Sequence, residues 1–249
     1  MNRTGISWTD FTLNFVTGCE KVSPGCQNCY AEAWARRWGR SFAVKLHPER
    51  LREIRKIPPG AKVFADSMSD LFHPAVSRDY LRTVFAAMAE RRDVVFQILT
   101  KRPENMLSFF RDTKTTIASN MWLGVSVEMA LYKGRIDLLT AAFGSTTVEE
   151  GAVPFVSFEP LLGDIGKVDF GCYGREPRVK WIIIGGESGP GHRPMKLEWA
   201  RALVRQAKEQ GVAVWMKQLG GPRPGTRLED LPEDLRLREF PQLMLQVSG

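Results

Sequence analysis

Three cysteines near the start of the chain have the residue type and spacing of a metal-binding loop. Cys19, Cys26 and Cys29 follow the pattern C-x6-C-x2-C, and the fourth cysteine, Cys172, stands far from them. Thiols clustered in this way are more often metal or redox ligands than a disulfide framework. Three thiolates can hold three irons of a [4Fe–4S] cluster and leave the fourth iron open. In radical enzymes that iron chelates S-adenosylmethionine, whose one-electron cleavage gives a 5′-deoxyadenosyl radical, and we predict this cofactor pair here.

Two other kinds of site fit part of the pattern. A structural zinc site needs four ligands, and the fourth would have to be His47, His73 or Cys172, none of which stands at a finger-like spacing. A dithiol redox pair would use the C-x2-C cysteines and would leave the first cysteine without a role. Both alternatives stay open at the level of sequence, although the cluster is the site that uses all three thiols and needs no fourth.

The elements that must position these thiols follow from hydrophobic patterning. Short β-branched runs alternate with amphipathic stretches, which is typical of buried parallel strands joined by helices. We expect strands within 8–16 and at 62–66, 94–99, 122–127, 154–158, 181–184 and 212–216, and helices that include 27–38, 77–91 and 196–210. The sequence predicts an α/β fold, a partial or modified (β/α) barrel of about six to seven parallel strands. We predict one domain over 1–249, with a cysteine loop at 18–30 and a C-terminal tail from about 220 to 249.

Polar side chains follow nearly every predicted strand. Because parallel barrels build their sites on the loops after the carboxyl ends of the strands, these side chains should meet at one mouth. A cofactor lying across that mouth needs an acceptor for its ammonium group, for which Asp66 and Ser67 are the candidates. Its carboxylate needs a cation, for which Lys101 or Arg102 is the candidate. Each of these residues could instead cap the helix that follows.

Basic residues are concentrated in one window of the chain. The net charge is +7, and residues 36–62 hold nine Lys or Arg against two Glu. Such a stretch is either a solvated face or a patch for the phosphates of a nucleic acid or nucleotide. Trp34 and Trp38 flank two of the arginines, and we expect the two rings to form the buried face of the first helix rather than a surface for stacking bases.

The composition is that of a soluble globular protein, with 43% hydrophobic and 25% charged residues. The amino-terminal residues lack the apolar stretch of a secretory signal, and the longest apolar runs are too short to span a bilayer. We therefore expect a cytoplasmic protein without membrane contact.

Eight motifs spread over nearly the whole chain carry a resemblance to a known family. They lie at 8–10, 16–32, 66–73, 97–103, 123–128, 155–162, 185–190 and 215–218. Together they resemble the three-cysteine-motif family of phage-associated proteins, which is largely of unknown function. The resemblance implies a TIM-type barrel like that of the radical S-adenosylmethionine enzymes.

The chain departs from that wider superfamily in two places. The usual loop of the superfamily is C-x3-C-x2-C, with an aromatic residue before the last cysteine. In this chain Asn28 holds that position and Tyr30 follows the last cysteine. The usual Gly-Gly-Glu after the second strand is replaced by Asp66-Ser67, and a Gly-Gly-Glu that ends at Glu187 comes after the sixth strand instead. We count Tyr30 among the cofactor-binding candidates.

The remaining candidates follow from the superfamily's layout. Ser126 and Glu128, at the end of the fourth strand, would bind the ribose hydroxyls of the cofactor, while Glu159 and Glu187 are left for the substrate as catalytic residues. The functional hypothesis is a radical enzyme reduced by a flavodoxin- or ferredoxin-like electron donor, with a nucleic acid or nucleotide as substrate through the 36–62 patch. The alternative is a zinc-stabilised nucleic-acid-binding protein without radical chemistry.

Overall fold

A computed structural model describes residues 1–173 and 176–242. The strands are β1 (Asn2–Arg3), β2 (Phe11–Leu13), β3 (Val16–Thr17), β4 (Lys45–Leu46), β5 (Lys62–Ala65), β6 (Val95–Thr100), β7 (Met121–Ser126), β8 (Val153–Phe158), β9 (Cys172–Tyr173), β10 (Glu176–Pro177), β11 (Trp181–Gly185) and β12 (Ala213–Gln218). The α-helices are α1 (Tyr30–Arg37), α2 (Arg78–Ala89), α3 (Pro103–Thr113), α4 (Arg135–Gly144) and α5 (Leu197–Glu209). Short 3-10 helices lie at Pro24–Cys26, Pro48–Lys56, Ala130–Tyr132, Leu228–Asp230 and Glu233–Leu235.

One curled sheet of eight strands organises the fold. Its order is β1-β2-β5-β6-β7-β8-β11-β12, in which β1 pairs antiparallel with β2 and every other pairing is parallel. The sheet is a half-barrel, so the predicted α/β fold with about seven parallel strands is confirmed. None of the helices in the described residues is long and apolar enough to cross a membrane.

The first helix begins later than the sequence pattern indicates. It starts at Tyr30 rather than at Gln27, because residues 24–26 form a separate 3-10 turn and Cys29 has an extended backbone at the helix N-cap. The C-terminal tail expected from about 220 onwards is described as far as 242, and residues 243–249 lie outside the described part of the chain.

The strands in the middle of the sheet are buried on both faces. All residues of β7, β8 and β11 are buried, as expected for parallel strands covered by helices. On the outer face, the rings of Phe72, Phe85, Phe109 and Phe110 pack with centroids 5.0–6.2 Å apart. This cluster fixes α2 and α3 against the sheet.

Aromatic side chains fill the half-barrel at the amino ends of the strands. The ring of Trp181, the first residue of β11, lies 5.4 Å from the rings of Trp122 and Phe155. The C-terminal tail completes the cluster, because the Phe240 ring lies 4.6 Å from that of Trp215 and the Trp181 indole donates to a tail carbonyl at 2.9 Å. The aromatic cluster closes this end of the barrel, and only the carboxyl ends of the strands remain for a site.

A glycine in β7 makes room for this cluster. A Cβ atom on Gly124 would lie 2.5 Å from the ring of Phe155, closer than packed atoms approach. We expect Gly124→Ala to lower the free energy of unfolding by about 1–3 kcal/mol, because the ring must shift in a packed interior. Gly134→Ala is the matched control, since nothing lies within 4 Å of its Cβ position. Equal denaturation midpoints for the two variants would contradict this account.

Candidate metal centre and active site

The cysteine loop, residues 18–29, joins β3 to α1 beside the carboxyl end of β5. The amide of Gly18 donates to the Met68 carbonyl at 3.0 Å, and the amide of Cys19 donates to the Phe42 carbonyl at 3.2 Å. Gly18 has a φ of 84°, and a Cβ there would lie 2.2 Å from the carbonyl oxygen of Ala43. Only glycine fits at this position. The start of the loop can therefore lie close to the backbone of residues 42–43 on one side and of Met68 on the other.

Arg102 holds the beginning of the loop. Its guanidinium donates to the Glu20 carbonyl at 3.0 Å and lies 3.9 Å from the Sγ of Cys19. The nearby Asp70 carboxylate accepts from the Thr100 hydroxyl at 2.7 Å and from the Lys101 amide at 3.0 Å, and its Oδ2 lies 4.0 Å from the Nε of Arg102. The loop after β6 is therefore shaped by a buried carboxylate and presents its arginine to the cysteine loop.

A second arginine holds the middle of the loop through a buried carboxylate. Glu187, only 5% exposed, accepts from the Arg193 guanidinium at 2.5 and 2.9 Å and from the side-chain Nδ2 of Asn28 at 2.9 Å. Arg193 also donates to the Pro24 carbonyl at 2.9 Å and to the Gln27 side chain at 3.2 Å. These residues form a clamp, the Glu187–Arg193 clamp, that ties the loop after β11 to the cysteine loop.

The charge state of Glu187 follows from two opposing effects. Burial of the carboxylate raises its pKa, but the hydrogen bonds from Arg193 and Asn28 and the positive charge of Arg193 outweigh burial. The net result is a pKa below the usual range of a glutamate, so the carboxylate is ionised at neutral pH and the clamp is a charge-assisted one.

Glu128 lies directly beneath the loop. It is fully buried, and its Oε2 accepts from Arg135 at 3.0 Å, whereas its Oε1 has no partner among the described residues. A Cβ on Gly25 would lie 3.1 Å from that Oε1. The absence of a side chain at Gly25 thus lets the backbone of the loop rest on the buried carboxylate.

The three thiols are free and partly exposed. The Sγ of Cys26 lies 3.8 Å from the Ser23 hydroxyl, and the pKa of the Cys19 thiol is raised by burial and by the charge of Asp70, against the opposing effect of Arg102. In the described part of the chain, no three His, Cys, Asp or Glu side chains are already grouped as metal ligands. The donor set nevertheless fits an iron–sulfur cluster, since three reduced thiols share one loop that is fixed on both sides.

The interior of the half-barrel above the aromatic cluster carries charged groups. Lys217 in β12 pairs with Glu159 at 2.5 Å, and both side chains are about four-fifths buried. Gly185 leaves room for the Glu159 side chain, because a Cβ atom on Gly185 would lie 3.1 Å from the carboxyl carbon of Glu159. On the neighbouring strands, Lys101 lies 3.4 Å from the Ser126 hydroxyl. The sequence analysis missed Lys217, although its place two residues after the inward-facing Trp215 marks it as facing the interior.

Tyr30 connects the loop to this interior. Its hydroxyl donates to the Ser67 carbonyl, and burial of that hydroxyl, together with the negative charges of Cys29 and Glu159, raises the tyrosine pKa above its usual range. The residue as a whole is still 57% exposed, so its ring faces outward while its hydroxyl points to the mouth.

Asp66 is buried at the end of β5 and faces backbone. Its carboxylate accepts from the Val16 amide at 2.9 Å, its second oxygen has no partner among the described residues, and burial raises its pKa to about 8. The Ser67 hydroxyl next to it donates to the Asn14 side chain at 3.2 Å. Four of the predicted residues lie at the mouth: Tyr30, Lys101, Ser126 and Glu159. Three others contact the cysteine loop: Arg102, Glu128 and Glu187. Asp66 lies behind that loop.

The curled sheet of parallel strands and its open carboxyl end define the class of fold, a modified (β/α) barrel. The chain belongs to the family described as "Protein of unknown function (DUF5131)", which matches residues 3–235. No curated protein matches it.

Two solved structures with a similar fold are mutants of spore photoproduct lyase. A cysteine-to-serine mutant aligns with a TM-score of 0.51 at 12% identity, and a tyrosine-to-phenylalanine mutant aligns with a TM-score of 0.49 at 10% identity. Each alignment covers 84% of this chain and 63% of the other, so the chain spans less than two thirds of the length of these structures. At 12% identity the first of these alignments shows a likeness of fold alone.

The first prediction from this site concerns the clamp. Arg193→Ala leaves the Glu187 carboxylate buried without its main partner, and we expect it to lower the free energy of unfolding by about 3 kcal/mol. Amide hydrogen exchange should accelerate at residues 25–28. Arg227→Ala, which removes a 74% exposed arginine paired with Asp230, should change the stability far less and leave exchange in the loop unchanged. Unaltered loop exchange in the Arg193 variant would refute the clamp.

The second prediction concerns the buried Asp66. Because its pKa in the folded protein is about 8, against an ordinary value of 3.8, the folded state binds a proton that the unfolded state has lost. Its contribution to stability is therefore complete below about pH 4 and is lost as the pH rises towards 8. We expect Asp66→Asn to remove this decline in denaturation curves recorded between pH 5 and 9.

Asp79→Asn is the control for that experiment, since the Asp79 side chain is 95% exposed. It should show the pH dependence of the unaltered protein. A decline that persists unchanged in the Asp66 variant would show that other groups cause it.

Proposed function

We propose that this protein is a radical enzyme in which Cys19, Cys26 and Cys29 hold a [4Fe–4S] cluster at the open end of the half-barrel. The observation that supports the proposal most directly is the position of three free thiols on one loop that is fastened to the loops after β5, β6 and β11. The donor set would leave one iron open for S-adenosylmethionine. When bound, the cluster supplies the electron that cleaves this cofactor to a 5′-deoxyadenosyl radical.

The chain's own residues would divide into two groups. Lys101 and Ser126 face the interior, and we propose that they bind the carboxylate and a ribose hydroxyl of the cofactor. Arg102, Glu128 and Glu187 already have contacts with the cysteine loop, and we propose that they position it. The contacts with the cofactor predicted from the sequence for Arg102 and Glu128 stay predictions, as does catalysis by Glu187.

The loop after β5 has a separate proposed role. Ser67 offers a hydroxyl and, with Tyr30 bound to its carbonyl, lies at the side of the mouth next to the loop. We propose that Ser67 and Tyr30 contact the cofactor. Asp66 stays a predicted acceptor for the ammonium group, and its free oxygen is available for such a contact only if the loop opens towards it.

Glu159 is the residue in the interior that we propose for the substrate. Its carboxylate is paired with Lys217 and lies where a molecule entering the mouth would meet it. A paired carboxylate and ammonium can bind both a donor and an acceptor group of a substrate. We propose a nucleic acid or nucleotide as substrate and a flavodoxin- or ferredoxin-like protein as electron donor. Location in the cytoplasm and association with phages stay predictions.

Zinc is the competing occupant of the loop. The fourth ligand would be His47, His73 or Cys172. His47 lies 2.8 Å from the Thr17 hydroxyl and 3.1 Å from Glu49. The Nδ1 of His73 accepts from the Ala75 amide at 3.1 Å, and its Nε2 has no hydrogen-bond partner among the described residues. Neither histidine is grouped with the thiols in the described residues. The contacts of His47 favour the cluster over a zinc site that would use this histidine.

Metal analysis of the full chain tests the proposal. After anaerobic reconstitution we expect a brown protein with about four irons and four sulfides per chain. Reduction in the presence of S-adenosylmethionine should yield 5′-deoxyadenosine and change the electron paramagnetic resonance spectrum of the cluster. Serine in place of any one of the three loop cysteines should abolish the product.

Cys172→Ser is the matched control, because it removes a thiol outside the loop and should retain both iron and cleavage. Colourless protein with one tightly bound zinc per chain would overturn the proposal in favour of the zinc-stabilised alternative.

A further inference from the structure

Helix α1, which begins directly after the last loop cysteine, exposes large aromatic side chains to solvent. Tyr30, Trp34 and Trp38 are 57%, 46% and 62% exposed, and they are three of the seven large hydrophobic residues that are exposed in the described part of the chain. The buried contacts of the helix are made by Ala31 and Ala35 instead. The expectation that the two tryptophans form its buried face is therefore wrong.

The three rings lie on one face of the helix. Their spacing of four residues puts them one above the other, and they extend over about 12 Å of the helix axis. The rings of Trp34 and Trp38 are 6.4 Å apart, and the hydroxyl of Tyr30 points into the barrel mouth. The aromatic face of α1, defined by these three residues, thus leads from the outer surface to the candidate active site.

Positive charge accompanies these rings. Arg40 lies over the Trp34 ring at 5.1 Å, and Arg37, three residues after Trp34, shares its side of the helix. Of the exposed basic residues that follow in 36–62, several have no ion pair or side-chain hydrogen bond within the described residues: Arg37, Lys45, Arg52, Arg55 and Lys56. Residues 42–46 return beside the cysteine loop, where Phe42 bonds to Cys19 and β4 pairs with β3. Arg37 and Lys45 therefore leave unpaired positive charge beside the aromatic face and the cysteine loop, whereas Arg52, Arg55 and Lys56 stand on the 3-10 helix that ends near the amino ends of the strands.

We infer that the aromatic face of α1 binds single-stranded, or locally unpaired, nucleic acid and leads a base to the mouth of the half-barrel. Exposed aromatic rings stack on bases of any sequence, and unpaired arginines beside them neutralise the phosphates. A duplex hides the faces of its bases, so a surface that relies on stacking prefers a single strand. The inference deepens the proposed function by naming the state of its substrate, and it rests on that function only for what happens to the base after binding.

Fluorescence anisotropy with the full chain tests the binding. The probes are a labelled mixed-sequence single-stranded oligonucleotide, as DNA and as RNA, and the corresponding duplex. We expect the single strand to bind more tightly than the duplex and its affinity to fall steeply with salt. Trp34→Ala and Trp38→Ala should each weaken binding about fivefold or more, whereas Trp34→Phe and Trp38→Phe should retain most of it.

Matched variants separate stacking and charge from general damage. Val148→Ala removes an apolar side chain that is 38% exposed ahead of β8, at the amino ends of the strands, and should leave the affinity unchanged. Arg37→Ala should reduce the slope of log K against log salt concentration by about 0.7, whereas Arg205→Ala, an exposed arginine on α5, should not change it. Folding is checked by the thermal transitions of the variants.

Three results would overturn the inference: no binding of the single strand, a preference for the duplex, or an affinity that is the same after both tryptophans are removed. If the single strand does not bind, the aromatic face of α1 would be assigned to a protein partner instead.

Formation of 5′-deoxyadenosine, measured on the same variants without nucleic acid, keeps this inference separate from the proposed function. Neither tryptophan should alter it. If binding depends on the tryptophans but S-adenosylmethionine is not cleaved, the proposed chemistry is wrong and the nucleic-acid surface stands. If S-adenosylmethionine is cleaved but binding does not depend on the tryptophans, the chemistry stands and the nucleic-acid surface is wrong.

Discussion

The candidate site depends on the contact between a buried carboxylate and one arginine. Glu187 stands in a turn after β11 and Cys26 in a loop after β3, so the two segments are far apart in sequence and meet only when the half-barrel has formed. Arg193 bridges them by bonding to the Glu187 carboxylate and to the backbone of the cysteine loop at once. Since the carboxylate is almost fully buried, its partner cannot be replaced by water at little cost. Assembly of the loop is thereby coupled to assembly of the sheet.

The half-barrel divides its interior by chemistry along the strand axis. At the amino ends, aromatic rings and the returning tail exclude water and support the curvature of an open sheet. At the carboxyl ends, the same strands carry lysines, a glutamate and a serine. In a low-dielectric surrounding such groups must be paired, which explains why Glu159 faces Lys217 in the structure. A polar molecule at the mouth would meet groups that are already paired and oriented.

Individual residues show where sequence reasoning about the site succeeds and where it stops. Position at the end of a parallel strand predicts that Lys101, Ser126 and Glu159 lie at the mouth, because strand direction alone places such residues there, while their roles stay predictions. It was not enough to give the contacts of Glu187, whose acceptor role depends on Arg193 and Asn28. The exposure of Trp34 and Trp38 could not be predicted either, since the helical pattern of α1 fits an aromatic or an alanine face equally well and only packing against the rest of the chain decides between them.

The sequence by itself determined the class of fold and the location of the thiols, because alternating β-branched runs and helical stretches specify parallel strands, and three cysteines in one loop stay together in any fold. It also located the concentration of positive charge, which is a property of composition. Only the tertiary structure decided which polar groups face the mouth, which are used to fasten the cysteine loop, and which aromatic rings stay in solvent. The physical reason is that burial and hydrogen-bond partners are properties of segments brought together from distant parts of the chain, and local periodicity contains no information about that meeting.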